Sequence, residues 1–408
     1  MNIVVIGAQW GDEGKGKIVD FLAGDASVVT RFSGGANAGH TIVSNGITYK
    51  LHLVPSGIVY PDKTVILGTG MVIDLESLFA ELKTLEEQGI NWKGRVLISD
   101  RAHLVFPTYK AMDLEMEKKR RHPIGTTGRG IGVAYAQKAD RDGIRAGDVF
   151  NPDVWNLLRE EEKAFITPYM EYLKAMLVDL VSYMASHKSD KKLFEGAQGA
   201  LLDIDTGTYP YVSSGYSIAS GACAGGGIGA LDIDAVYAVF KAYSTRVGNG
   251  PFPTEFDHDS EGELENKVRV TGREFGVTTG RPRRCGYLDL VALKYSCRVN
   301  SISDLVLTHL DIYDDMEEIK VCTAYEIDGK RVTDFPARVD MLEKAKPLYQ
   351  IFKGWKKKIG GTKKFEDLPQ KAREYVEFIE KYTETPITII SVGYERDDTM
   401  IRKPVWTR

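Results

Sequence analysis

Residues 7–22, GAQWGDEGKGKIVDFL, carry the first residues whose spacing suggests chemistry. Gly11-x-x-x-x-Gly16-Lys17 fits the start of a phosphate loop, G-x-x-x-x-G-K-[ST], whose backbone N–H groups cradle phosphate oxygens at the head of a helix. Lys15 or Lys17 would add a cation. The next position departs from the pattern: Ile18 stands where a hydroxyl would hold magnesium. Asp12 lies inside this anion-binding loop, and a carboxylate beside phosphate is repelled unless a cation intervenes. It would therefore ligate Mg²⁺ in place of the missing hydroxyl, or act as a general base towards a second substrate. Glu13 would be a solvated or a structural acid. A second glycine loop, SGGANAGHT at 33–41, ends in His40. Its glycines permit close approach of a ligand, and the imidazole, neutral or protonated, could donate a proton or hydrogen bond to a phosphate oxygen.

These loops need elements to hold them. NIVVIG is a short apolar run ending in glycine and predicts a buried parallel strand; KIVDFL after the loop has helical spacing. ASVVTRF, KTVILG and GRVLIS predict further strands, and DLESLFAELKTLEEQG predicts a helix capped by Asp74 and closed by Gly89. HTIVSNGITYKLHLV reads as a hairpin around Asn45-Gly46. Residues 108–121 and about 151–188 are expected to be helical. KKLFEGAQG is a strand running into a glycine loop, SGACAGGGIGA reads as a flexible loop, and DLVLTHLD and PITIISVG are late buried strands. Strands alternating with helices predict an α/β fold. We expect a mostly parallel central sheet with flanking helices, like that of phosphate-loop NTPases, with an antiparallel hairpin and helical insertions. Residues 1–408 are expected to form one domain, and ligands should sit beyond the carboxyl ends of the strands.

The chain has 408 residues, 43% of them apolar, and a formal net charge of −4. That balance argues against nucleic acid or an anionic membrane as a partner. Four cysteines without CxxC spacing suggest neither a zinc site nor a disulfide framework. NIVVIG is too short for a signal core, so a cytoplasmic location is expected.

Several long segments, taken in order, carry a resemblance: QWGDEGKGKIVD, GGANAGHT, LHLVPSGI, IGTTGRGIG, FEGAQGALLDIDTGTYPYV, KAYSTRVGNGPFPTE and GVTTGRPRRCGYLD. Together they strongly resemble the adenylosuccinate synthetase family, and the likeness extends to ISVGYER near the end. The family joins IMP and L-aspartate at the expense of GTP, requires Mg²⁺ and works as a homodimer. The resemblance implies that Asp12 is both a Mg²⁺ ligand and the base that removes the N1 proton of IMP, with the Gly39 carbonyl as a second ligand. It implies that His40 is the acid that stabilises departing GDP, and that Gln198 binds the hypoxanthine ring and aids the first step.

Other positions carry over in the same way. GTP is implied to meet Gly11, Gly14, Lys15, Gly16 and Lys17, then Gly39, His40, Thr41 and Arg283. Its guanine is implied to meet His309, Leu310 and Asp311 of THLD, with Ser391, Val392 and Gly393 closing the pocket. IMP is implied to meet Asp12, Lys15, Asn37, Ala38, Gly39, His40, Thr127, Gln198, Ser213 and Arg281, with Arg141 reaching in from the partner subunit. Aspartate is implied to meet Val277, Thr278, Thr279, Gly280, Arg281 and Arg283. Three positions differ from many family members: His309 replaces lysine, Ser213 replaces threonine, and Pro282 replaces arginine. The competing readings are a nucleotide-dependent C–N ligase with another acceptor, and a GTP-dependent switch that performs no synthesis.

Overall fold

In the computed structural model, which describes residues 1–44, 46–276, 280 and 282–407, the first strand already occupies the middle of the molecule. β1 (Asn2–Gly7) leads through the phosphate loop into α1 (Lys15–Ala23) and β2 (Val28–Arg31). Next come the hairpin β3 (His40–Ser44) and β4 (Ile47–Leu51), then β5 (Thr64–Leu67), α2 (Leu75–Glu87), β6 (Val96–Ser99), α3 (Pro107–Lys119) and α4 (Ile131–Asp140). β7 (Leu177–Val178), β8 (Lys192–Glu195), α5 (Gly221–Gly226), β9 (Ala235–Lys241) and α6 (His258–Thr271) follow. The remainder runs through α7 (Leu290–Asn300), β10 (Asp304–Thr308), β11 (Glu318–Ile327), β12 (Lys346–Lys353), α8 (Gln370–Thr383), β13 (Ile387–Ser391) and β14 (Thr399–Ile401).

Ten of these strands form one sheet in the order β14-β13-β10-β9-β1-β8-β2-β5-β6-β7. Its pairs are parallel except β13 with β14 at one edge. β1 explains the layering. Ile3 and Val5 join a core containing Ile18, Val19 and Leu22 of α1, while Val4 and Ile6 join the core on the other face with Leu290 and Leu293 of α7. A strand buried on both sides must be apolar at successive positions, as NIVVIG is. The mostly parallel α/β expectation therefore holds. The pair β11/β12 stands outside this sheet, in antiparallel register from Glu318↔Lys353 to Glu326↔Lys346.

The hairpin closes with Ser44 opposite Ile47 and Gly46 at φ +76°; Asn45 lies outside the described residues. Gly89 follows α2 with φ +88°. Asp74 does precede α2, but its carboxylate meets Ser77 Oγ at 2.6 Å and Lys110 Nζ at 2.7 Å and leaves the helix amides uncapped.

Two expectations need correction. Residues 151–188 are not continuously helical: short helices break at β7, which pairs with β6 and extends the sheet. SGACAGGGIGA is not a loose loop. It includes α5, and a Cβ on Gly225 would collide with the Phe32 carbonyl, so its glycines serve close packing. The sequence reading also missed β9, AVYAVFK, all seven residues of which are buried.

Candidate functional site

A cavity of about 590 Å³ lies beyond the carboxyl ends of β1, β8, β9 and β10 and is lined by both glycine loops. The phosphate loop is shaped by Gly11 at φ +87° and Gly14 at φ +85°, where a side chain would be strained. Asp12 adopts φ +59°, a conformation uncommon outside glycine, and presents its carboxylate to the cavity. Gly14 caps α1 without a side-chain hydrogen bond, so the amides of the first turn remain available to an anion.

The neighbouring acid points the other way. Glu13 is fully buried and structural: its Oε1 accepts from Gln9 N at 3.0 Å and Gly11 N at 2.9 Å, and its Oε2 meets Lys15 Nζ at 2.6 Å. Lys15 is thus bound back into the loop. Lys17 Nζ donates to Ser391 Oγ and the Gly393 carbonyl, both at 2.8 Å. Neither lysine is an uncommitted cation. Ile18, at the position expected for a hydroxyl, is buried in the core.

His40 opens β3 and reaches the same cavity. Its Nδ1 lies 2.6 Å from Glu195 Oε1. Glu195 ends β8, is fully buried, and also accepts from Ser56 N at 2.8 Å and Ser56 Oγ at 3.1 Å. Burial alone would raise its pKa; the contact with His40 and the charge of Arg31 outweigh that and hold it below the ordinary value. Gln198 stands at φ +54° with Nε2 3.5 Å from Asn37 Oδ1.

On the other side, Lys241 Nζ lies 2.5 Å from Glu274 Oε1, and both side chains are 1% exposed. Glu274 Oε2 accepts from Arg283 Nη1 at 2.7 Å, and Arg283 Nε pairs with Asp12 Oδ2 at 2.8 Å. Burial opposes the charge on Glu274, but Lys241 and Arg283 bring its pKa down to about 2. Arg283 is therefore held by one acid while it holds the other.

His309 adopts φ +56° and lies edge-on between the rings of Tyr243, at 5.8 Å, and Tyr394, at 6.0 Å. Burial first, then Lys241, lowers its pKa to about 4, so it is a neutral ring near pH 7. Asp311 Oδ1 is buried without a hydrogen-bond partner among the described residues, and burial raises the pKa of that carboxyl.

The cavity brings together Gly11, Asp12, Gly14, Lys15, Gly16, Lys17, Asn37, Ala38, Gly39, His40, Thr41, Thr127, Gln198, Ser213, Arg283, His309, Ser391 and Gly393. Leu310 and Val392 are core side chains, so only their backbones could meet a nucleotide. Arg141, the left-handed C-cap of α4, is exposed and does not line the cavity. Gly280 is exposed, while Val277, Thr278, Thr279 and Arg281 lie outside the described residues. The sequence reading missed Glu195, Lys241, Glu274, Arg273 and Tyr394. Only Glu195, Lys241 and Tyr394 fell within segments already quoted, and none had a local partner to mark its role.

The described residues contain no group of three or more His, Cys, Asp or Glu side chains placed to hold a metal. One cavity carboxylate and a nearby carbonyl, Asp12 and Gly39, match the habit of Mg²⁺, which takes few protein ligands and fills its shell with phosphate oxygens and water.

The sequence profile of the adenylosuccinate synthetase family matches residues 4–161 and 157–400. The adenylosuccinate synthetase of Clostridium novyi (strain NT) is 47% identical, with 98% of each chain covered. That of Trichormus variabilis is 47% identical over 98% of this chain and 94% of the relative. The fully ligated adenylosuccinate synthetase from Plasmodium falciparum superposes with a TM-score of 0.90 at 39% identity, covering 98% of this chain and 99% of that one. With both glycine loops converging on one cavity in a matching fold, the chain belongs to the adenylosuccinate synthetase family, GTP-dependent ligases that join IMP to L-aspartate.

Proposed function

We propose that this cavity binds GTP and IMP together and that Asp12 and His40 act on opposite ends of one phosphoryl transfer. The observation that carries the reading is that both side chains reach one cavity whose floor is an uncapped helix N-terminus. Asp12 takes the N1 proton of IMP, and the electron pair released makes O6 a nucleophile. O6 attacks the γ-phosphorus of GTP, and the bond to the β-phosphate oxygen breaks. His40 stabilises the GDP that departs, and Gln198, beside Asn37, orients the purine. The product of this step is 6-phosphoryl-IMP. The aspartate amine then adds at C6 and phosphate leaves, yielding adenylosuccinate. A purine oxygen is a poor leaving group, and phosphorylation makes it a good one.

Asp12 and the Gly39 carbonyl would hold Mg²⁺, whose charge offsets that on the transferring phosphoryl group. Asp311 accepts from guanine N1–H and the exocyclic amine, and Ser391 and Gly393, tied to Lys17, close that end. Arg283, with the segment 277–281, serves the dicarboxylate substrate, for which a guanidinium is well matched. The working unit is a homodimer in which Arg141 crosses to the neighbouring site, in keeping with its exposed position outside its own chain's cavity lining. We place this dimer in the cytoplasm, in keeping with four unpaired cysteines.

The test supplies IMP, L-aspartate, GTP and Mg²⁺, then omits each in turn. Adenylosuccinate should form only with all four. GTP hydrolysis that ignores IMP and aspartate would favour a switch instead. With ¹⁸O at O6 of IMP, label must appear in the released phosphate; its absence there rules out 6-phosphoryl-IMP.

A further inference from the structure

We infer that Glu195 is a positioning residue for phosphoryl transfer, holding the His40 ring by Nδ1 so that Nε2 is the atom offered to the nucleotide. The inference rests on the proposed role of His40. Glu195 Oε2 receives the fixed Ser56 N–H at 2.8 Å, and Oε1 receives Ser56 Oγ at 3.1 Å and stands 2.6 Å from His40 Nδ1. An ionised carboxylate can only accept, so the short contact keeps a proton on Nδ1, and the second proton of the imidazolium is the one that Nε2 carries to the nucleotide. The buried Arg31, register partner of Glu195 on β2, favours the ionised carboxylate, while its Nη1 and Nη2 donate to the His52 and Gly35 carbonyls. From the other side, the first turn of α1 closes on the ring: a Cβ on Gly16 would stand 3.0 Å from His40 Cβ. The imidazole is thus fixed at Nδ1 and along its stem. Nε2 makes no hydrogen bond among the described residues, and the side chain faces the cavity. A carboxylate that selects the tautomer of a working histidine is a recurring catalytic arrangement, in which loss of the charge leaves the fold but misplaces the ring proton.

The experiment uses the full-length protein in two readouts. Ring-¹⁵N-labelled histidine is followed by long-range ¹H–¹⁵N correlation in the unliganded enzyme, and His40 is assigned among the seven histidines by its loss in His40→Asn. The wild-type signal should show a proton on Nδ1, in the neutral Nδ1–H ring or in the imidazolium that donates from Nε2, and a neutral Nε2–H ring overturns the inference even if no variant folds. In steady-state assays Glu195→Gln should lower kcat by about 10²-fold while leaving KM for IMP and GTP within about threefold. Glu195→Gln combined with His40→Asn should be no slower than His40→Asn alone. A further loss in the double variant means that Glu195 acts on the fold and not through His40, and wild-type kcat in Glu195→Gln means that it does not act on the reaction; either result overturns the inference. Wild-type turnover in His40→Asn removes the role given to His40 itself. It is told apart from a failure at Glu195 because the tautomer signal does not depend on turnover.

Discussion

Glu13→Gln isolates the price of one buried charge in the phosphate loop. The two amide hydrogen bonds, from Gln9 and Gly11, fall on Oε1, while Oε2 alone faces Lys15 at 2.6 Å. Glutamine can keep its oxygen under both amides, and its NH₂ then confronts an ammonium that is 3% exposed. Removing one partner of a buried ion pair costs about 3–5 kcal/mol, because the other charge is left without compensation. With an unfolding entropy of about 2.1 cal/mol/K per residue, a chain of 408 residues should melt roughly 3–6 °C lower. Scanning calorimetry on the purified variant measures this. Lys15→Met in the same background removes the orphaned cation, and the double variant should recover more than half of the loss. A Glu13→Gln melting point within about 1 °C of wild type, or a double variant whose loss equals the sum of the two single losses, refutes the reasoning.

Asp311→Asn should weaken GTP by roughly 2–4 kcal/mol and favour xanthosine triphosphate, since an amide donates where the carboxylate could only accept; an unchanged ratio of kcat/KM for the two nucleotides moves guanine recognition elsewhere. Asp12→Asn and Arg141→Leu, each nearly inactive, should restore roughly a quarter of wild-type activity when mixed in equal amounts, because about half the dimers then hold one intact site. No recovery after demonstrated subunit exchange would return Arg141 to its own chain. Lys17 tests a pH dependence: burial lowers its pKa to about 8 against the nearby acids Asp398, Asp311 and Glu395. Between about 8 and an unfolded value near 10.5, the unfolded chain holds the extra proton, so raising the pH stabilises the native state. Lys17→Met lacks this gain, so its melting point relative to wild type should fall from pH 7.5 to pH 10, and a constant difference contradicts the shift.

What was legible in the sequence was local. The phosphate loop announces itself because strand, glycines and helix are contiguous, and His40 because glycines precede it. Asn45-Gly46 marks a hairpin because a two-residue turn needs particular residues. The unread parts depend on partners far away in the chain. Glu195 gains its meaning from His40 and Ser56, and Glu274 from Lys241 and Arg283. Glu13 looks like any loop acid until its carboxylate is seen beneath the loop's own amides. β9 hides because it ends in Lys241, a charge that looks unsuited to a buried strand but is paired with Glu274. SGACAGGGIGA was misread because glycines that permit tight packing look the same as glycines that permit motion.

The place of β1 in the sheet also matters while the chain is being made. Its two neighbours are Lys192–Glu195 and Ala235–Lys241, so this strand has no neighbour in its sheet to pair with until the chain has been made as far as Glu195. At about 5–20 residues per second, that wait lasts roughly 10–40 s. The strand left waiting is NIVVIG, an uncharged and apolar segment of the kind that pairs readily with other chains. A second delay follows, because Lys17 and Asp20 on α1 bind Ser391, Gly393 and Arg396, which lie 374 to 376 residues further along the chain. The nascent chain therefore has to shelter NIVVIG until residues 192–195 have been made, and a ribosome stalled before that point would leave the strand exposed.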